Sequence, residues 1–261
     1  MSLVVSLRVP DGIILAADSL MTFQTQAVPK EEFVRCPSCE AKIPHALISP
    51  PPPILAPGSS NFQKLLCIKK RDIGLAVFGM PFLTGRTIES HIRDLEKKVY
   101  ENETVERVAA KVEEYFRVEL NKEVGNIEKI PEKQFPIGFQ LAGYDEQEIH
   151  IGKTFSIEIG RTSKIEPLHA KGYGCSISGD QRVILKLWKE DPNIPIPLPP
   201  FQLLPLQDAI DYALFLIETT IKFQRFTPMT PTCGGSIDVA MITYHSGFQW
   251  IRKKELIVEK N

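Results

Sequence analysis

Residues 2–18 read SLVVSLRVPDGIILAAD, and this stretch decides the fold. Val4–Val9 and Gly12–Ala17 are dominated by apolar and β-branched residues, and Pro10-Asp11-Gly12 between them is a turn sequence. Each run has the length of a short strand. The sequence therefore predicts a chain that opens with a β-hairpin.

The periodicity of apolar residues predicts the remaining elements. Spacings of three and four indicate helices at Thr87–Tyr100, Val105–Leu120, Gln181–Lys189 and Leu206–Phe223. Apolar and alternating runs indicate strands at Lys64–Ile68, at Ile73–Phe78, in a meander within residues 136–165, and at Ser236–Tyr244 and Phe248–Ile251. Strands and helices come in groups rather than in alternation. The prediction is therefore an α+β fold, a four-layer αββα sandwich.

Composition and charge argue against several classes of protein. The 261 residues are 43% hydrophobic and 24% charged, as in ordinary globular proteins, and they fit one domain covering residues 1–261. Because 31 Lys and Arg balance 32 Asp and Glu, we expect neither a nucleic-acid nor a membrane partner. No apolar run reaches the roughly 18 residues of a membrane span. The first 12 residues lack a secretory signal, so a cytoplasmic location is expected.

Residues 20–61 interrupt the pattern and are predicted to be a Pro-rich insertion. They contain CPSC at residues 36–39, PPPP at residues 50–53 and PGSS at residues 57–60. Two cysteines at this spacing resemble half of a zinc ribbon, so Cys36 and Cys39 are candidate ligands of a structural zinc. The other ligands would be His45 with a distant residue, or the same segment of a neighbouring subunit. An inert or redox-sensitive thiol pair is the alternative.

Three segments carry a family resemblance: DGIILAAD at residues 11–18, KLLCI at residues 64–68 running to Gly79, and CGGSIDVAMIT at residues 233–243. On these segments the chain resembles the proteasome β-subunit family and its bacterial relatives, the HslV type and the ancestral β-subunit group. The resemblance spans most of the chain. It implies an N-terminal nucleophile hydrolase fold, and it places the first residue of the mature family member, the nucleophile, at Ser2.

The chemistry of a Ser at this position needs few parts. Once Met1 is removed, the free α-amine of Ser2, with an ordinary pKa of ~7.7–8.0, can accept the proton of the Ser2 hydroxyl. A nearby Lys cation lowers the pKa of such an amine, and a carboxylate holds the Lys in place. The resemblance assigns these two roles to Lys64 and Asp18. It assigns the oxyanion-binding N–H to Gly79.

Two supporting positions depart from the family pattern. The serine of the family's Gly-Ser-Gly turn is matched to Tyr173 in Gly172-Tyr173-Gly174. The family's Asp-x-x-Ser-Gly-Gly becomes Thr230-x-x-Cys233 followed by two glycines. Cys233 is expected to be a small buried residue rather than a second nucleophile.

The predicted function is a proteasome-like hydrolase of the threonine-peptidase type, in which Ser2 cleaves peptide or amide bonds within an oligomeric assembly. A catalytically silent structural or interaction subunit is one alternative, favoured by the changes at Tyr173 and Thr230. A non-proteolytic amidase on the same fold is another. The resemblance implies self-association into a ring or spiral and a peptide substrate. The sequence identifies no ATPase partner, and the chemistry requires no cofactor beyond the candidate zinc.

Overall fold

The computed structural model describes residues 2–25, 33–35, 42–44, 54–148, 150–170, 172–189, 197–228 and 230–255. For residues 23–25, 33–35, 42–44 and 54–57 it describes the backbone alone. The described strands are, in chain order, β1 (Leu3–Val9), β2 (Gly12–Ala17), β3 (Thr22–Thr25), β4 (Phe33–Arg35), β5 (Lys42–Pro44), β6 (Ile54–Pro57), β7 (Leu65–Ile68), β8 (Ile73–Gly79), β9 (Phe82–Leu83), β10 (Arg86–Thr87), β11 (Ile137–Gly143), β12 (Lys153–Ile159), β13 (Lys164–Leu168), β14 (Gly174–Gly179), β15 (Asp238–Thr243) and β16 (Gly247–Arg252). The described α-helices are α1 (Ile88–Glu96), α2 (Val105–Val124), α3 (Arg182–Leu187) and α4 (Leu206–Arg225).

Ten of the described strands form two antiparallel sheets of five strands each. The first has the order β14-β1-β2-β15-β16, and the second has the order β13-β12-β11-β8-β7. The opening hairpin therefore provides two inner strands of the first sheet. The chain is a mixed α+β protein with antiparallel sheets, as the grouping of strands and helices predicts.

Three apolar clusters show how the sheets and helices pack. One cluster joins the second sheet to α1 and α2, and another joins the first sheet to α3 and α4. The third lies between the two sheets, where Val4 and Leu15 of the first sheet meet Leu65 and Ala76 of the second. Successive side chains of a strand point to opposite faces. In β1, Leu3, Val5, Leu7 and Val9 accordingly belong to the helix-facing cluster and Val4 to the inter-sheet cluster.

Most predicted elements are confirmed with small changes at their ends. Helix α2 begins after Thr104, whose side chain accepts a hydrogen bond from Arg107 N, and ends at Gly125, whose φ is 71°. Helix α1 ends at Glu96, four residues before the predicted end at Tyr100. The carbonyl groups beyond it are bound by lysine side chains from other elements, which replace helical hydrogen bonds: Lys98 O accepts from Lys111, and Val99 O from Lys70.

Three regions differ from the prediction, and one of them is the short β9–β10 pair, which was not predicted. Strand β14 was not predicted, although Cys175 and Ile177 alternate with two serines in a short run between glycines. The described part of the predicted insertion, residues 20–61, contains short antiparallel pairs, β3 with β6 and β4 with β5. Among the helices of the described ranges, none combines the length and the apolar character needed to cross a bilayer.

Candidate functional site

Ser2 lies directly before β1 and is 4% exposed. Its carbonyl oxygen accepts a hydrogen bond from Asp180 N at 2.7 Å. The next amide, Leu3 N, donates to Asp18 Oδ1 at 2.9 Å. The peptide group that follows Ser2 is therefore held at both its oxygen and its nitrogen, which fixes the backbone of the candidate nucleophile.

Asp18 and Lys64 form a buried ion pair next to this peptide. Lys64 Nζ lies 2.8 Å from Asp18 Oδ1, and the two side chains are 3% and 0% exposed. Asp18 Oδ2 accepts from Leu20 N at 3.1 Å and from Gly234 N at 3.0 Å. With Leu3 N and Lys64 on its other oxygen, the carboxylate has four donors, enough to compensate the burial of its charge.

The Lys64 ammonium has one more N–H group than it has acceptors among the described residues. Its ammonium donates to Asp18 and, at 2.5 Å, to the carbonyl oxygen of Leu20. An ammonium group carries three hydrogens. Within the described part of the chain no third acceptor is found for Lys64, so one N–H is available to the cavity that it lines.

Gly79 ends β8 in a conformation that favours glycine. Its φ is 92°, and a Cβ at this position would lie 2.2 Å from Pro136 O. Val77 N donates to Lys64 O at 2.9 Å, while Met80 N donates in the other direction, to Pro136 O. Because N–H groups alternate in direction along a strand, we infer that the Gly79 N–H points the same way as that of Val77, past the beginning of β7.

Ser2, Lys64 and Gly79 line one small cavity of about 10 Å³, which has room for about one water molecule. Part of its wall comes from Leu20–Thr22, where the predicted insertion begins, and from Phe62. The four residues that the sequence nominates are thus brought together, three in the cavity wall and Asp18 behind Lys64. The other two nominated residues, Cys36 and Cys39, lie outside the described residues.

Comparison with known proteins gives a likeness of fold. No family model matches the chain, and no curated protein matches it. Among solved structures, a mutant of Anbu from Hyphomicrobium sp. strain MC1 is similar with a TM-score of 0.59 at 15% sequence identity, over 97% of this chain and 86% of that chain. The fold is distantly proteasome-like. At this identity the likeness concerns the fold alone.

Within this proteasome-like fold, Tyr173 is far from Ser2. Strand β14 pairs with β1 so that Gly179 faces Leu3 and Gly174 faces Arg8. Five strand steps separate these two pairs, a length of roughly 17 Å. Tyr173 precedes Gly174, is 44% exposed and lies over the Arg8 guanidinium. Matching Tyr173 to a residue that supports the nucleophile is therefore wrong, and the end of β14 at Gly179 lies beside Ser2 instead.

Sequence reasoning missed the polar residues at that end of β14. Asp180 follows Gly179, and its carboxylate accepts hydrogen bonds from Arg182, Gln224 and Thr232. Hydrogen bonding to Arg182 lowers the pKa of Asp180 to about 2. Thr232 is 1% exposed, whereas Thr230, the position matched to the family's Asp, is partly buried.

Cys233 is 1% exposed, as expected for a small buried residue. Burial, followed by the charge of Asp18, raises the pKa of its thiol to about 12. The thiolate is therefore scarce at neutral pH, which argues against Cys233 as a nucleophile.

A second buried ion pair lies behind the first and was also missed. Lys254 Nζ lies 2.5 Å from Asp238 Oδ2 and donates to Phe62 O at 2.9 Å. It is also 3.4 Å from the hydroxyl of Ser19, the residue after Asp18. Lys254, the second residue after β16, thus contacts both segments that carry the first ion pair. Throughout the described ranges, no group of three or more His, Cys, Asp or Glu residues is placed to hold a metal ion.

Proposed function

We propose that this chain is a proteasome-like hydrolase of the threonine-peptidase type that uses Ser2 as its N-terminal nucleophile. The observation that carries the proposal is the Lys64–Asp18 ion pair, buried beside Ser2 in a cavity that Gly79 also lines. A buried ion pair is weak evidence for stability, because apolar residues of similar volume often stabilise as well. Its position beside a candidate nucleophile supports a chemical role.

In the proposed reaction, Met1 is first removed and the α-amine of Ser2 becomes free. Ser2 Oγ attacks the carbonyl carbon of an amide, and its proton passes to the amine. The oxyanion that forms accepts a hydrogen bond from the Gly79 N–H. The positive charge of Lys64 disfavours protonation of the amine and so keeps the amine neutral before the attack. The ammonium then gives its proton to the leaving nitrogen as the C–N bond breaks. Water hydrolyses the resulting ester and restores Ser2.

A catalytically silent subunit is the second candidate, and the size of the cavity favours it. About 10 Å³ beside Ser2 has room for about one water molecule and none for a substrate side chain. A substrate would have to approach from outside the cavity, or the wall at Leu20–Thr22 would have to move. The non-proteolytic amidase shares the proposed chemistry and differs in taking a small amide.

Three further proposals accompany the function. The two sheets and the helices packed outside them form the four-layer αββα sandwich of N-terminal nucleophile hydrolases. The chain self-associates into a ring or spiral. Cys36 and Cys39 bind a structural zinc, which metal analysis of Cys36→Ser against the parent protein tests.

Two measurements on the purified protein test the nucleophile. Intact mass reports whether Met1 is removed, and a mass adduct after incubation with an electrophilic peptide probe reports reaction at Ser2. We expect one adduct per chain in the parent and in the control Ser246→Ala, which changes an exposed turn serine, and none in Ser2→Ala.

Each contrary outcome has a distinct meaning. Retained Met1 in a reactive preparation would exclude Ser2 as nucleophile. A parent that has lost Met1 and forms no adduct would be the silent subunit. An adduct that persists in Ser2→Ala and disappears in Cys233→Ala would move the site to the cysteine.

A further inference from the structure

A second residue with a buried carboxylate, Asp180, binds the Ser2–Leu3 peptide through its backbone N–H, on the side opposite Asp18. The carbonyl oxygen and the amide hydrogen of a trans peptide point in opposite directions. Asp180 N donates to the oxygen of this peptide, and Asp18 accepts from its nitrogen. Gly179 makes the contact possible, because a Cβ on it would lie 1.8 Å from Ser2 O and its φ is 88°.

The Asp180 side chain is 1% exposed and has donors from three elements. Its Oδ1 accepts from Arg182 Nε at 2.8 Å. Its Oδ2 accepts from Arg182 Nη2 at 2.6 Å, from Gln224 Nε2 at 3.0 Å and from the Thr232 hydroxyl. The carboxylate thereby ties the beginning of α3 to α4 and to the segment before β15.

The segment before β15 closes a ring of hydrogen bonds around the candidate nucleophile. Gln224 Oε1 accepts from Thr232 N at 2.9 Å and from Cys233 N at 3.1 Å. The next residue, Gly234, donates its N–H to Asp18 Oδ2. Asp180 thus acts at both ends of the ring, directly on Ser2 O and, through Thr232, on the segment that supports Asp18.

A simpler role for Asp180 would be to begin α3. Its Oδ1 does accept from Arg182 N, at 3.3 Å. That contact is longer than the side-chain contacts of the same carboxylate, and it leaves the donors on Gln224 and Thr232 unexplained. A helix start needs one acceptor oxygen exposed to the first turn. Both oxygens of the Asp180 carboxylate are instead buried among donors from distant elements, which a helix-starting role does not require.

We propose that Asp180 is a positioning residue for Ser2, which acts through Thr232 and through its own backbone N–H. The proposal rests on the proposed function of Ser2. Loss of the carboxylate or of the Thr232 hydroxyl leaves buried donors or acceptors unpaired and releases the segment at Cys233–Gly234. Ser2 is then still present but is no longer held in its reactive position. This change lowers the rate of bond formation more than it weakens the binding of a substrate or probe.

The test compares the labelling of Ser2 by an electrophilic peptide probe in matched variants. Thr232→Val keeps the shape of the side chain and removes the hydroxyl, and Thr232→Ser keeps the hydroxyl. Thr219→Val makes the same change on the half-buried face of α4, outside the ring. The maximal labelling rate and the probe concentration at half-maximal rate are measured separately for each folded protein.

We expect Thr232→Val and Asp180→Asn to lower the maximal labelling rate by about tenfold or more, with the half-maximal concentration changed by less than about threefold. Thr232→Ser should recover most of the rate, and Thr219→Val should match the parent. If Asp180→Asn does not fold, the Thr232 pair decides alone.

The inference fails if Thr232→Val labels at the parental rate, or if it alters the half-maximal concentration alone. It also fails if Thr232→Ser is as slow as Thr232→Val, since the hydroxyl would then not be the group that matters. A parent protein that loses Met1 and forms no adduct overturns the proposed function, and the positioning role with it. A reactive parent with unaffected variants overturns the positioning role alone.

Discussion

Replacing Lys64 by Met tests how much of the free energy of unfolding is lost when the buried Asp18 carboxylate has no ion-pair partner. The substitution removes the ammonium 2.8 Å from Asp18 and leaves a carboxylate that is 0% exposed. Breaking a buried pair by removing one partner typically costs about 3–5 kcal/mol. Asp18 keeps the three backbone donors Leu3, Leu20 and Gly234, so we expect the lower end, about 3 kcal/mol.

The assay is equilibrium unfolding in urea, with the free energy of unfolding extrapolated to water at a constant denaturant slope. The matched control is Lys222→Met on α4, whose partner Glu218 lies one helical turn away and whose side chain is 73% exposed. Such an exposed pair contributes about 0.5 kcal/mol or less. In thermal unfolding, about 3 kcal/mol corresponds to a decrease in Tm of roughly 6 °C for a chain of this size.

Asp18→Asn should be at least as costly as Lys64→Met, because the amide nitrogen that replaces one oxygen cannot accept from backbone N–H groups and because Lys64 stays charged. A loss below about 1 kcal/mol for Lys64→Met, or a loss equal to that of Lys222→Met, would refute the reasoning. The pair would then be hydrated in solution, and its closeness to Ser2 would carry no argument for function.

Three further predictions use the same measurements. Gly79→Ala should destabilise the fold by about 2 kcal/mol or more and abolish labelling of Ser2, whereas Gly85→Ala, with a similar φ of 72° and open space around it, should cost about 1 kcal/mol. Lys254→Met should cost about 3 kcal/mol and slow labelling, because it leaves a buried carboxylate unpaired beside the cavity wall, and exposed Lys253→Met should do neither. Asp180 has its pKa lowered from 3.8 to about 2, so it stabilises the folded state by about 2 kcal/mol above pH 4 and loses this contribution as the pH falls to 2. Asp180→Asn should remove that part of the acid-induced loss in a pH series of urea unfolding.

The elements that could be predicted from the sequence are those whose signals are local. The β1–β2 hairpin follows from two apolar runs around a turn, and α2 follows from a cap at Thr104 and a periodic apolar face. Strand β14 is an edge strand of six residues with small polar side chains, and its partner β1 lies about 170 residues earlier. Such a strand has little local preference, and its pairing is decided by the sheet that receives it.

The residues of the candidate site also divide into those that could be nominated from the sequence and those that could not. Asp18 and Lys64 lie within sequence segments that carry the family resemblance, and the spacing from the first of these segments places the nucleophile at Ser2, so local sequence was enough to nominate all three. Asp180 is 44 residues from Gln224 and 52 from Thr232. A hydrogen-bonded cluster of this kind leaves no spacing pattern in the sequence. Only the tertiary fold brings its members together.

The match of Tyr173 and Thr230 to altered family positions suggested that the support of the nucleophile was lost. The geometry leads to a different interpretation, because the Asp180 carboxylate binds the Thr232 hydroxyl while the backbone N–H of Asp180 binds Ser2 O. Motif comparison scores each position against a fixed residue type and cannot recognise partners supplied by neighbouring positions. The case for a silent subunit therefore does not rest on these two positions. It rests on the cavity of about 10 Å³, because an acyl group can reach Ser2 only from outside this cavity or after the wall at Leu20–Thr22 moves.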